Sequence, residues 1–136
     1  MIINDRTQDR RIAAWIAEEV EVGYNPQCIC FGVEHNGELI GAAMFNDYNG
    51  ANICLHQRMK KPNAMTRELL RTVFDYAFNV LKVVRVTGAT HTSNVKAIDL
   101  NTRLGFLIEG VTTRYYPDGD GIIMMVMWPE YCRWIK

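Results

Sequence analysis

Residues 69–81 carry seven apolar side chains, Leu69, Leu70, Val73, Phe74, Ala77, Phe78 and Leu81, at the spacings of one wide helix face. Directly after them comes Val83-Val84-Arg85-Val86-Thr87-Gly88-Ala89, a short β-branched run of the kind that forms a buried strand. A helix so broadly apolar has to be laid on a sheet, and a buried strand that follows it at once belongs to that sheet. The pair commits the chain to an α/β architecture.

The flanking segments fit around this unit. Residues 5–20 place Ile12, Trp15, Ile16 and Val20 on one helical stripe, with Arg10, Arg11, Glu18 and Glu19 on the other faces. Residues 28–34 read as a strand. Asn36-Gly37, ahead of the apolar run 39–45, marks a tight hairpin, because both central residues of that turn take positive φ. A second pair, Asn49-Gly50, leads into residues 51–57 and completes an antiparallel meander of three strands. Downstream, Asn94 is placed to cap a helix that runs to Leu104, with Gly105 to stop it. Residues 106–115 and 122–128 form a closing hairpin about Pro117-Asp118-Gly119-Asp120-Gly121. This order predicts one domain over residues 1–136: a mixed, mostly antiparallel sheet with helices on both faces.

Fifteen Lys and Arg balance fifteen Asp and Glu, so the chain lacks the overall basic field that drives non-specific nucleic-acid binding. The basic stretch 58–71 also lacks the interleaved aromatics of a single-strand binder, and no nucleic-acid partner is expected. No apolar run nears the roughly 20 residues of a membrane span, and residues 1–6 turn charged too soon for a signal peptide. The expected compartment is the cytoplasm, with no membrane partner. The four cysteines, Cys28, Cys30, Cys54 and Cys132, show neither zinc nor redox spacings. Cys28 and Cys30 share one strand face and read as small buried hydrophobes; no metal is expected.

Chemistry concentrates at the start of the long helix. In Arg58-Met59-Lys60-Lys61-Pro62-Asn63-Ala64-Met65-Thr66-Arg67, Pro and Asn stand where a helix begins. A helix N-terminus offers unpaired N–H groups and partial positive charge, which suit a phosphate or pyrophosphate. Arg58, Lys60, Lys61 and Arg67 add cations, although a solvated basic turn capping a core helix accounts for the same residues. A second polar cluster, His91-Thr92-Ser93-Asn94, follows the buried strand, at the C-terminal end where α/β sheets place ligands.

From residue 51 to residue 128 the sequence resembles the core of the GNAT N-acetyltransferase superfamily. The likeness rests on the basic loop at a helix start, on Asn94 ahead of the next helix, on Arg103-Leu104-Gly105-Phe106 at its end, and on Glu109-Gly110 beyond. The short length and Trp-containing C-terminus are also similar to those of small GNAT-like proteins encoded by bacteriophages. The resemblance implies a GNAT fold, acetyl-coenzyme A as co-substrate, and direct transfer of the acetyl group to a primary amine of a small molecule or protein. It puts the pyrophosphate at Lys61, Asn63, Ala64, Met65, Thr66 and Arg67, and Asn94 against the pantetheine or pyrophosphate arm. It further implies that strands 51–58 and 83–89 run parallel and part toward their C-terminal ends, which makes room for pantetheine.

Two positions depart from the family pattern. The loop Arg/Gln-x-x-Gly-x-Gly/Ala lines up with residues 61–66, where Ala64 and Thr66 occupy the small positions and narrow the backbone's approach to a ligand. The Thr66 hydroxyl is a replacement donor for a phosphate oxygen. The family's Tyr, which protonates the departing thiolate, aligns with Asn101, which cannot do so; a thiol pKa near 8.5 lets the thiolate leave without it. His56, late on the strand at 51–57, is the candidate base, since imidazole titrates near neutrality. A packed or solvent-facing strand histidine is the plain alternative. Glu109 is the second candidate. Tyr115 and Tyr116 flank the acceptor mouth or sit as strand aromatics. The aromatic C-terminus, from Trp128 to Trp134, closes the fold or makes a homodimer contact, and self-association is the expectation. The enzyme reading leads; a GNAT-fold binding or structural module without catalysis is the alternative, favoured by the altered loop and Asn101.

Overall fold

In the computed structural model, which describes residues 1–136, the Asn36-Gly37 turn joins β2 (Ile29–His35) to β3 (Glu38–Asn46), with φ of 53° and 80° at its two central residues. Antiparallel pairing continues from β3 to β4 (Asn52–Met59), so the meander forms as expected. The next strand in the sheet is β5 (Arg85–His91), parallel to β4. β7 (Ile122–Met127) then inserts between β5 and the edge strand β6 (Leu107–Thr112), antiparallel to both. A two-residue strand, β1 (Ile2–Ile3), pairs with β2 at the opposite edge. It is too short for periodicity to reveal. The full order is β1-β2-β3-β4-β5-β7-β6.

Helices cover both faces because the strands alternate apolar residues to both. On one side α1 (Asp9–Ala17) sets Ile12, Ala13 and Ile16 on Cys30, Leu39, Ala42 and Met44. On the other, α2 (Arg67–Asp75) and its π-helical extension through Val80 press Leu69, Val73, Phe74 and Phe78 onto Phe31, Phe45, Ile53 and Val86. Phe74 stacks on Phe78 and meets Phe106 with ring centroids 6.1 and 6.0 Å apart. Close approach at one point is set by Gly41: a Cβ there would lie 2.8 Å from the Ala64 Cβ, so the loop before α2 rests directly on β3. No helix is long and apolar enough to cross a membrane.

Several boundaries differ from the expected ones for local reasons. Asp5 accepts from the Thr7 N–H (2.9 Å) and caps a 3-10 turn, so regular helix begins only at Asp9. Strand β5 begins at Arg85, leaving Val84 exposed, and β6 ends at Thr112 because Arg114 takes a φ of 53°. The stop of α3 (Val95–Leu104) is as expected: Gly105 takes a φ of 112°, and the Phe106 N–H returns to the Asn101 carbonyl at 3.0 Å. That turn buries both Leu104 and Phe106, which is the physical content of the Leu-Gly-Phe run. Within β6 the register shifts between Ile108 and Gly110, a bulge at Glu109, and the whole strand is exposed.

Cys28 and Cys30 are buried with their sulfurs 3.9 Å apart, and burial holds the Cys30 thiol well above its ordinary range. They are packing residues. The aromatic tail folds back on the chain itself: the Trp134 indole donates to the Leu104 carbonyl (2.9 Å), Arg133 to that of Arg103 (2.5 Å), and Cys132 is buried. Because Phe74 touches two rings at the centre of the larger core, Phe74→Ala is expected to cost about 3–5 kcal/mol. Leu107→Ala, on exposed β6, should cost less than about 1 kcal/mol. Urea denaturation of the two variants checks the contrast.

Candidate active site

β4 and β5 pair at only three positions, Asn52 with Arg85, Ile53 with Val86 and Cys54 with Thr87. Beyond these β4 stays paired to β3 as far as Met59, and β5 stays paired to β7 as far as His91. Each strand keeps its outer neighbour, so what opens is the seam between them. Backbone groups along both lips lose their ladder partners and need others. The cleft at this seam has a volume of about 350 Å³ and is lined by Leu55, His56 and Gln57 from β4, Gly88 to His91 from β5, and Asn94, Ala97 and Asn101 from α3. Glu19, Val20 and Glu21 close it on the α1 side, with Tyr116 from the β6–β7 turn. The parting of strands 51–58 and 83–89 is thus observed.

His56 lies in this cleft, partly buried. Its Nε2 stands 3.0 Å from the Asn46 Oδ1. Burial pushes the imidazole below its ordinary value, opposed in part by the Asp47 charge, so the ring is neutral at pH 7. Since an amide oxygen only accepts, Nε2 carries the hydrogen and Nδ1 the lone pair. Asn94 also lines the cleft, and its Oδ1 caps α3 by accepting from the Ala97 N–H (3.2 Å). The Asn101 side chain is not idle: its Oδ1 accepts from Gln57 Nε2 at 2.8 Å and bridges the seam from α3 to β4.

Other expected site residues are placed elsewhere. Glu109 sits on the exposed β6 edge, where both its oxygens pair with Arg85 (2.9 and 3.3 Å), and it does not line the cleft. A carboxylate so engaged has no free path to an acceptor in the cleft. Arg58 turns away from the helix start, because its position on β4 faces α1. There it donates to the Trp15 carbonyl (2.7 Å), stacks over the Trp15 ring at 4.0 Å and meets Glu18 and Glu19. Lys60 likewise borders a groove beside α1.

The loop itself is more closed than its spacing implied. The Ala64 N–H donates to Lys61 O (3.0 Å), Met65 to Pro62 O (3.4 Å) and Thr66 to Ala64 O (3.0 Å). Ala64 is buried, while Lys61, Asn63 and Thr66 are exposed. The Thr66 Oγ1 caps α2 by accepting from the Leu69 N–H (3.1 Å). Of the expected amides from Ala64 to Arg67, the first three are thus engaged and that of Arg67 is left, with Glu68 beside it, and the Glu68 carboxylate opposes the Lys61 and Arg67 charges. Within this loop Pro62–Ala64 form a 3-10 turn, and the buried Ala64 packs against Gly41 of β3.

The arrangement of His91, Tyr116 and Asp120 was not legible in advance. His91 Nδ1 is 3.2 Å from an Asp120 oxygen, and Tyr116 stacks on the imidazole with centroids 4.0 Å apart. The His-Thr-Ser-Asn run marked one half of this cluster; the partner is 29 residues away in the turn before β7, and spacing carries no sign of it.

The sequence model described as the acetyltransferase (GNAT) domain matches residues 2–107. No curated protein matches the chain in sequence. Among solved structures, a spermidine N-acetyltransferase SpeG chimera from Vibrio cholerae and hSSAT superposes with a TM-score of 0.76 at 16% identity, over 100% of this chain and 99% of that one. The yncA protein of Salmonella typhimurium, solved with its cofactor acetyl-CoA, gives 0.73 at 14% identity, over 94% of this chain and 92% of that one. A structure described as an acetyltransferase from T. thermophilus gives 0.65 at 21% identity, over 79% of this chain. The chain spans 62% of the length of that structure and 60% of another described in the same way. At such identities the likeness is one of fold.

The Thr66 cap separates a structural role from a ligand role. Thr66→Ala is expected to lower stability by about 1 kcal/mol, and Thr66→Ser to restore most of it. Thermal melts of the ligand-free protein check this.

Proposed function

The chain belongs to the acetyltransferase (GNAT) family, and on that premise we propose that it moves an acetyl group from acetyl-coenzyme A to a primary amine. The observation that most supports this is the open seam, with a neutral histidine on one lip and a capped helix start on the other. In this reading the pantetheine arm occupies the seam beside Asn94, and the pyrophosphate meets Lys61, Arg67 and the free N–H groups of Arg67 and Glu68. Ala64, Met65 and Thr66 shape that loop rather than donate their amides, and the exposed Asn63 stands beside them. Acetyl-coenzyme A supplies an activated acyl group as a thioester. His56 Nδ1 takes the proton that the amine gives up as it attacks. The leaving thiolate needs no acid, since its conjugate thiol has a pKa near 8.5.

Two observations favour a second reading. The internally bonded loop and the Gln57–Asn101 bridge also suit a GNAT-fold binding or structural module without catalysis.

Calorimetry at low salt should detect coenzyme A binding, weakened by added salt because Lys61 and Arg67 are exposed. No binding at low salt would sink the acetyl-transfer reading and leave the module. A panel of primary amines, spermidine, simple alkylamines and a lysine peptide, assayed for thiol release from acetyl-coenzyme A, separates them: binding without release with any amine leaves the module. If turnover is seen, His56→Gln should lower kcat/KM about a hundredfold at every pH from 7 to 9, with coenzyme A affinity unchanged. A wild-type rate in that variant removes His56 from the chemistry.

A further inference from the structure

The side chains around Asp120 converge on a single histidine. Asp120 accepts from Ser93 Oγ (2.5 Å), the Thr92 hydroxyl, the Gly121 N–H (3.0 Å) and His91 Nδ1 (3.2 Å). These donors, the Ser93 and Thr92 hydroxyls first, hold its carboxyl well below the usual carboxylate range. An ionised carboxylate only accepts, so His91 Nδ1 carries the hydrogen, and in the neutral ring the lone pair is on Nε2. Tyr116 lies flat against the ring, 7° from parallel, and keeps it from turning over. The result is an imidazole of fixed tautomer and orientation, lining the cleft and 38% exposed, with one basic nitrogen uncommitted.

We propose that His91 Nε2 takes a proton from the acceptor while it is still an ammonium ion, delivering the free amine to the reacting centre. The inference rests on the acetyl-transfer reading above. An alkylammonium resembles that of lysine, with a pKa of about 10.4, so only about one molecule in 2,500 is nucleophilic at pH 7. In the step an N–H bond of the ammonium breaks, its electron pair stays on nitrogen, and the proton bonds to Nε2. The imidazolium, held against Asp120, passes the proton to water at the exposed edge of the ring.

The charges that face His91 favour this traffic. From the segment after α1 come Glu19, which shares its charge with Arg58, and Glu21; from the β6–β7 turn come Asp120 on the ring itself and, around the stacked Tyr116, Asp118 and Tyr115. From β4 there is His56, and α3 turns only the uncharged Asn94, Ala97 and Asn101 to the cleft. A cation is thus welcome on the side that His91 lines. The task differs from that given to His56, which acts later, on the proton released during attack.

The experiment takes the fastest primary alkylamine of the panel and follows kcat/KM from pH 6.5 to pH 10 for the wild type and His91→Gln. The variant should lose about a hundredfold at pH 7, and the deficit should shrink to about threefold near pH 10, where the amine sheds its proton unaided. Coenzyme A affinity should not change. Independently of turnover, ring 15N spectra of the ligand-free protein should show His91 protonated at Nδ1, and that state should be lost in Asp120→Asn. A deficit that stays constant with pH, a wild-type profile in His91→Gln, or a hydrogen on Nε2 in the neutral ring overturns the proposal alone. A wild type that binds coenzyme A and acetylates no amine overturns it together with the acetyl-transfer reading.

Discussion

The three-residue pairing of β4 with β5 is the constraint on which the rest depends. Were it longer, the seam would be an ordinary sheet interior; were it absent, the sheet would fall into two pieces. It is secured where it exists by a polar clasp on the side of the sheet that α1 does not cover fully. Thr87 donates to Asn52 Oδ1 (2.5 Å), Arg85 Nε donates to Thr87 Oγ1 (3.0 Å), and Arg85 pairs with Glu109 across the sheet. Above the clasp the helices α2 and α3 hold the parted strands from one face, and the aromatic core at Phe74 and Phe106 sits beneath. The opening is therefore backed by packing and does not rest on loops.

Most of the fold was readable because its signals are periodic and local. The face from Leu69 to Leu81, the Asn36-Gly37 turn and the Asn94 and Gly105 caps each act over a few residues, and each appears where it was expected. What escaped was short or long-range. The two residues of β1 have no period, and the insertion of β7 between β5 and β6 is a matter of topology that no window along the chain contains.

The candidate site was legible in part for the same reason. His56 and Asn94 were found from their places on a strand and at a helix start, and the cleft brings them together. The direction of Arg58 was misjudged because a count of cations ignores strand alternation: one residue further along β4 a side chain points to the opposite face. The state of the loop at residues 61–66 was also missed. Spacing identifies which amides a helix start contains, but only the structure tells which of them have already been taken by neighbouring carbonyls.

Glu109 acquires a different meaning from its place in the bulge of β6. An exposed terminal strand carrying Leu107, Ile108 and Val111 is a template on which another copy's strand could be added. The bulge breaks the hydrogen-bonding rhythm midway, and the Arg85–Glu109 ion pair plants two charges across the break. The free edge is thereby divided into stretches of two or three residues, too short to recruit a partner strand. The same ion pair that braces the closed end of the seam thus guards the sheet against growing sideways.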